Sequence, residues 1–372
     1  MKVIVDDKIP FIKGVLEKYA EVVYLEGSKI SRKDLLNADA LIVRTRTKCN
    51  ANLLEGTKVK FIATATIGLD HIDTDYCRSK NIAWTNAEGC NSSSVQQYLA
   101  AALFFLIEKF NLSLTNLTIG VVGVGNVGKK VATLCDTLGM IVLLNDPPRE
   151  RLEGSKSFVS LDTILSVADI ITLHVPLNYY GQDNTYHLVD NIFLSRLKKH
   201  QILINTSRGE VIETETIKLA LQNKRLKGCI LDVWEREPYI DLDLLDLVDV
   251  GTPHIAGYSA DGKANGTAMS VDSFCRHFGF NLRDWYPKNI PMPPVSTVEM
   301  DCTNLNRQEI IGKLIRVTYD ILEDDRVLRS FPTNFEKRRG EYPVRREFET
   351  FKINLLHGNE EIEKFVRKIG FK

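Results

Sequence analysis

Along the first part of the chain, short β-branched runs alternate with amphipathic stretches. The pattern predicts strands over 2–5, 21–24, 40–43, 61–64 and 82–84. Helices are predicted between them, for example over 11–19 and 74–80. Such alternation implies parallel βα units with helices on both faces of a sheet. Residues 93–110 read as one long, mostly apolar helix suited to joining two domains. At Leu117 the pattern restarts with a strand, a glycine turn, a helix and a second strand. Further strands are predicted over 170–174, 202–205, 228–232 and 248–251, with helices over 161–167, 190–197 and 213–222. A helix over 263–278 can pack back toward the first domain. Prolines at 291, 293 and 294 then break the chain, since proline cannot extend a helix. Beyond them, amphipathic helices are expected over 310–322 and 361–369. The organisation read from this pattern is a discontinuous first domain (1–93 with 258–290), a second domain (94–257) and a terminal domain (291–372).

Composition narrows the function classes. With 372 residues, 44% hydrophobic and 26% charged, the chain has ordinary globular usage and no low-complexity tract or solenoid repeat. Lys plus Arg and Asp plus Glu each number 48, so the overall basic excess of a nucleic-acid or membrane-surface binder is missing. The apolar run 99–107 is about half of the roughly 20 residues that span a bilayer. MKVIVDD places acids directly after a short apolar run, unlike a signal peptide. Seven dispersed cysteines without a CxxC pair suggest reduced thiols, and the scattered histidines offer no local metal cage. A cytoplasmic protein without metal, nucleic-acid partner or membrane attachment is expected.

The strongest local signal is G-V-G-N-V-G, with Gly123, Gly125 and Gly128. Alone the pattern is weak; here it follows a predicted strand and opens a predicted helix, the context in which it cradles a pyrophosphate. Gly123 permits the tight turn, Gly125 the close backbone approach, and Gly128 the packing of helix on strand, with Asn126 and Val127 between them. Asp146 ends the next strand 23 residues after Gly123, where a carboxylate accepts from ribose hydroxyls, so NAD is favoured over NADP. Arg149 close by softens that preference. A second constellation also follows predicted strands: N-T-S-R-G with Arg208, D-V-W-E-R-E-P with Asp232, and T-P-H-I-A-G with His254. Arginine offers a fork matched to a carboxylate, and histidine is the usual proton carrier in alcohol oxidation. From chemistry alone, either Glu235 or Glu237 could orient the histidine.

In this order and spacing, the four motifs resemble the NAD-dependent D-2-hydroxyacid dehydrogenases over roughly residues 35–285. The resemblance implies a Rossmann-type doubly wound NAD domain inserted in a flavodoxin-like α/β substrate domain, with a cleft between them that closes. V-R-T-R-T, A-T-I-G-L-D-H-I-D, G-C-N, N-D-P-P-R, G-T-P-H-I-A-G-Y and the terminal R-R-G-E-Y-P-V-R-R-E-F point within the family to a branch acting on a phosphorylated 2-hydroxy acid. That branch carries a small α+β C-terminal domain associated with homodimerisation. Position by position, the resemblance makes Arg208, Glu237 and His254 catalytic and favours Glu237 over Glu235. Thr45, Thr66 and Tyr258 match substrate contacts; Asp146, Ser207, Asp232 and Gly257 match cofactor contacts. Glu88 stands where proline is usual, and Thr206–Ser207 where Ala–Cys is usual. A phosphorylated substrate needs cations, and the candidates are Arg44 and Arg46 at a strand end and Arg345 and Arg346 in the terminal basic stretch. Two other readings stay open: a dehydrogenase for 3-phosphoglycerate or glycerate, and a nonenzymatic NAD-sensing corepressor.

Overall fold

The computed structural model describes residues 1–372, the side chain of Ser155 excepted. The chain divides into two compact units. Met1–Asn91 with Ser259–Pro291 form the first; Ser92–Tyr258 with Met292–Lys372 form the second.

The first unit is built on five parallel strands. Their spatial order is Glu21–Leu25, Lys2–Asp6, Ala40–Val43, Phe61–Thr64, Ala83–Asn86. This 2-1-3-4-5 order is that of flavodoxin-like folds. Ala40–Val43 and Phe61–Thr64 are buried at every position, as parallel strands covered on both faces must be. One face is covered by the helix Ala260–Phe278, whose Val271, Phe274 and Cys275 pack with Val3, Val5, Ile42 and Ala63. This is the return expected of that helix. The helix expected over 11–19 does not form. Phe11 (φ 65°) and Gly14 (φ 81°) take left-handed backbone there, and the segment runs as successive turns that still bury Ile12 and Leu16.

In the second unit six parallel strands run in the order Val250–Gly251, Gly228–Leu231, Ile202–Asn205, Ile170–Leu173, Thr118–Val122, Ile141–Asn145. Chain order reverses between Thr118–Val122 and Ile170–Leu173, so the crevice at their carboxyl ends is the topological switch point. The long helix Ser92–Phe110 is a core element of this unit, with thirteen of its residues buried. It shares one hydrophobic cluster with the sheet and with Val298, Ile310, Ile311, Leu314, Ile315, Ile362 and Val366 of the terminal segment.

That segment is α+β. Thr297–Asp301 pairs in parallel with Lys352–Leu356, and the helices include Arg307–Thr318, Ile321–Ser330 and Glu360–Ile369. The single helix expected over 310–322 is two. Asn306 and Glu309 form a capping box that opens the first. Tyr319 (φ −157°) leaves helical backbone, and the Asp320 side chain accepts from Leu322 N–H to start the second. Among the described residues no helix is long and apolar enough to cross a membrane, and no group of His, Cys, Asp and Glu is gathered to hold a metal ion.

Candidate active site

The glycine turn sits at the switch point of the second sheet. Thr118–Val122 ends at Gly123, whose φ is 87°. A Cβ there would lie 2.7 Å from the His174 carbonyl carbon, so only glycine lets the two strand ends approach. A Cβ on Gly128 would meet Gly123 O at 2.0 Å, which holds the helix Asn126–Thr137 tight against the turn. Gly125 differs: a Cβ there meets nothing within 4 Å, so its backbone faces open space at the helix N-terminus. Gly125 and Asn126 are exposed and Val127 half-buried. A helix N-terminus beside an open, side-chain-free backbone suits a dinucleotide pyrophosphate.

Asp146 braces this turn. Its Oδ2 accepts from Val124 N–H at 2.8 Å, and its Oδ1 accepts from Arg149 N–H as the cap of the helix Pro147–Glu153. The Arg149 guanidinium donates to Val124 O at 2.6 Å and pairs with Glu153 at 2.6 Å, over the Phe158 ring. The cation is thereby engaged inside its own helix and turn, and the half-buried carboxylate of Asp146 remains at the strand end, which fits NAD.

Three strand ends carry the other motifs. Asn205, buried at the end of Ile202–Asn205, accepts from Ser207 N–H and Oγ–H and donates to Arg208 O. This ties the 205–208 backbone into one turn, with Ser207 buried and Arg208 half-buried. Arg208 Nη1 donates to Ser207 O at 2.8 Å. Thr206 Oγ1 lies 3.2 Å from His174 Nδ1, and Thr172 Oγ1 lies 3.0 Å from its Nε2. Burial pushes the His174 imidazole down to about 3, so it stays neutral. This histidine was missed in the sequence; its only signal is its place after an apolar strand.

His254 and Glu237 meet. Nδ1 of His254 is 2.7 Å from Glu237 Oε2, and Glu237 Oε1 accepts from Trp234 N–H at 3.0 Å. Burial works to raise the Glu237 carboxyl, but the His254 charge and hydrogen bond, the Trp234 amide and Arg339 outweigh it and leave it below the ordinary value. Glu235 is used elsewhere: Oε1 pairs with His187 Nε2 at 2.7 Å and Oε2 accepts from Thr214 N–H. The geometry thus separates two acids that chemistry alone could not.

The turn carrying His254 is organised by Asp232, 2% exposed. It accepts from the Thr252 hydroxyl at 2.7 Å and from the N–H groups of Ile255 (2.7 Å) and Ala256 (2.9 Å). Its own carbonyl accepts from His254 N–H at 2.7 Å. Burial pushes this carboxyl up, against the pull of His254, the hydroxyl and the two amides. Gly257 and Tyr258 follow the turn, half-buried, with Tyr258 edge-on to Tyr342 and under Arg339.

The remaining candidates divide between the units. In the first, Thr45 and Arg46 are exposed after the strand Ala40–Val43, and Arg44 donates to Lys8 O at 3.2 Å. Thr66 Oγ1 lies 2.7 Å from Thr64 Oγ1, which lies 3.1 Å from His71 Nε2. Glu88 is exposed beside Gly89, which takes φ 78°. In the second unit Arg345 and Arg346 are buried, at 5% and 9% exposure. Arg345 Nη2 donates to Ala256 O at 2.5 Å, and its guanidinium lies 4.5 Å from the centre of the Tyr319 ring. Arg346 Nη1 lies 3.2 Å from Met292 Sδ, and its carbonyl accepts from Gln97. Both arginines are built into the interior of their own unit.

A Rossmann sheet with this glycine turn, and with Arg208, Glu237 and His254 following three neighbouring strands, has the build of an NAD-dependent dehydrogenase of D-2-hydroxy acids. Consistently, residues 98–256 match the profile of the D-isomer specific 2-hydroxyacid dehydrogenase NAD binding domain, and residues 290–370 match a domain of unknown function. The fold is shared with D-lactate dehydrogenase of Aquifex aeolicus, crystallised with NAD and lactic acid (28% identity, TM-score 0.60, 75% of this chain and 96% of that one). An erythronate-4-phosphate dehydrogenase of Bacteroides thetaiotaomicron is 51% identical over 95% of this chain and 99% of its own. One from Porphyromonas gingivalis is 39% identical over the full length of both. The chain belongs to the erythronate-4-phosphate dehydrogenase family within that class.

Proposed function

We propose that this chain oxidises 4-phospho-D-erythronate to 2-oxo-3-hydroxy-4-phosphobutanoate with NAD, in pyridoxal 5′-phosphate biosynthesis. The substrate reading rests on the relatives and their full-length similarity. The observation that carries the chemistry is the 2.7 Å contact between His254 Nδ1 and Glu237. With Nδ1–H directed at a carboxylate, Nε2 is the nitrogen left to take the C2 hydroxyl proton. Glu237 then holds the resulting imidazolium. Arg208 grips the substrate carboxylate and the C2 oxygen through its planar fork. NAD, when bound, supplies the acceptor for the two electrons. Thr45, Thr66 and Tyr258 are the proposed substrate contacts, Gly257 and Ser207 the cofactor contacts beside the glycine turn, and Asp232 the residue that holds the histidine turn in register. Arg44 and Arg46 are the cations proposed for the phosphate. Turnover of a panel of phosphorylated and plain 2-hydroxy acids, followed at the nicotinamide absorbance, tests this reading. The expected result is a kcat/KM for 4-phospho-D-erythronate above those for 3-phosphoglycerate and glycerate. NAD binding without turnover of any acid would favour a sensor instead.

The seven buried free thiols suit a reducing cytoplasm. We also assign homodimerisation to the terminal segment, which exposes Val317, Leu322, Phe331 and Val344 on its surface. Removing the whole segment would strip the core around Ser92–Phe110, so point changes are the cleaner probe. Val317→Glu with Leu322→Glu is expected to give a folded monomer by sedimentation velocity. A dimer that survives both changes rejects this surface.

A further inference from the structure

The terminal segment touches the His254 turn from two sides. Upstream, Gly251 N–H donates to Asp325 Oδ1 at 2.7 Å, and Asp325 is itself paired with Arg329. The Arg329 guanidinium also donates to the carbonyls of Leu245 and Val248, which lead into the strand Val250–Gly251. Downstream, Arg345 donates to the carbonyl of Ala256. His254 lies between these two anchors.

Behind them runs a buried polar cluster. Asp324 Oδ2 accepts from the hydroxyls of Tyr319 (2.8 Å) and Tyr342 (2.7 Å), and Arg345 lies over both rings. Tyr98 OH is 2.7 Å from Thr252 Oγ1, which donates to Asp232, and Asp232 accepts the amides on the other side of His254. Each Ala256 backbone group is therefore fixed: its N–H by Asp232 and its carbonyl by Arg345. Buried guanidinium and carboxylate groups are costly unless well partnered, yet Arg345 keeps Nε and Nη1 without a hydrogen-bond partner. Its charge is offset by the buried carboxylates of Asp324 and Asp232 and by the two tyrosine rings. Its hydrogen bond is directed at the carbonyl two residues beyond His254.

We propose that the terminal segment, which matches a domain of unknown function, acts within its own chain as a brace for the catalytic turn, with Arg345 and Asp325 as positioning residues for His254. The inference rests on the catalytic reading given above. It goes beyond dimerisation, since both contacts lie inside one chain.

Arg345→Met keeps the length and apolar packing of the side chain and removes its donor. The full-length variant should fold and bind NAD with unchanged KM, while kcat falls roughly 10²-fold, the effect of a displacement near 1 Å in a catalytic group. The fall of activity on the acidic side should also move, because a shifted His254 no longer meets Glu237 squarely. Asp325→Ala, which removes the upstream anchor, should reproduce the split between kcat and KM and the altered pH profile. Wild-type kcat per folded molecule in either variant overturns the proposal. So does a loss that follows the folded fraction with the wild-type pH profile, and so does failure of both variants to fold, which would make these residues ordinary core. Wild-type enzyme run in parallel separates the two readings: if it turns over no 2-hydroxy acid, the catalytic assignment is what has failed.

Discussion

His254→Asn is expected to lower kcat for the 2-hydroxy acid by about 10²–10⁴-fold, the range general acid–base groups contribute, while NAD binding survives. Asparagine is the informative replacement because residue 254 has φ 56°. Alanine would strain that left-handed backbone, whereas asparagine adopts it readily, so the turn held by Asp232 stays intact. Glu237→Gln gives the companion result. The Glu237 carboxyl is held below its ordinary value, with burial opposing and His254, the Trp234 amide and Arg339 prevailing. The stability it contributes is therefore present above the ordinary glutamate value and lost only as pH falls through the lowered folded value. Above that value it stays ionised beside His254. An amide in its place removes that charge from the group that faces His254 Nδ1 at 2.7 Å. kcat should fall, because the imidazolium formed on proton transfer loses its counter-charge. An E237Q or H254N enzyme with wild-type kcat would remove this pair from the chemistry.

Gly209→Ala is expected to destabilise the chain by about 3 kcal/mol or more, at the upper end of overpacking effects, and to abolish turnover. A Cβ at 209 would lie 1.9 Å from the Trp234 carbonyl carbon and 2.0 Å from its oxygen, and rigid backbone cannot yield as a side-chain tip can. The strand end it displaces matters for chemistry. Trp234 N–H holds Glu237, and Trp234 Nε1–H donates to Thr252 O at 2.9 Å, beside the histidine turn. Arg208 precedes Gly209 directly, so the motif that carries the arginine is packed by its glycine against the motif that carries the acid. Gly125→Ala is the control, because its Cβ meets open space. It should melt as the wild type does but bind NAD more weakly. Thermal melts and NAD titration of both variants decide; a G209A protein as stable as wild type would contradict the packing.

Both parallel sheets were legible because their strands are continuous apolar runs: Ala40–Val43, Phe61–Thr64 and Ile202–Asn205 fall where the pattern puts them. What stayed hidden was decided by backbone conformation or by long-range contact. The apolar spacing of residues 11–19 suits a helix, yet Phe11 and Gly14 turn left-handed there. The break at Tyr319 separates two helices whose apolar spacing runs on without interruption. In the site, the glycine turn and His254 could be found from local motifs. The partner of His254 could not be chosen by composition, since Glu235 and Glu237 differ only in which histidine the fold brings to them. Nor does a cluster of arginines disclose its use. Arg345 reads in the sequence as a candidate phosphate cation and is an interior group in the fold, where residues far upstream enclose it.

The parallel pairing of Thr297–Asp301 with Lys352–Leu356 has a consequence for the order of events during synthesis. Parallel neighbours cannot be joined by a hairpin, so the whole stretch between them, including Asp324, Asp325, Arg329 and Arg345, is a single closed crossover. Closure waits for the last strand and for the backbone of Lys372, which pairs with Phe351 and Ile353. A ribosome has therefore made Arg208, Glu237 and His254 well before it delivers the residues that grip Gly251 and Ala256. The nascent chain carries its reactive groups in an unfinished setting until the strand Lys352–Leu356 and the residues behind it are made.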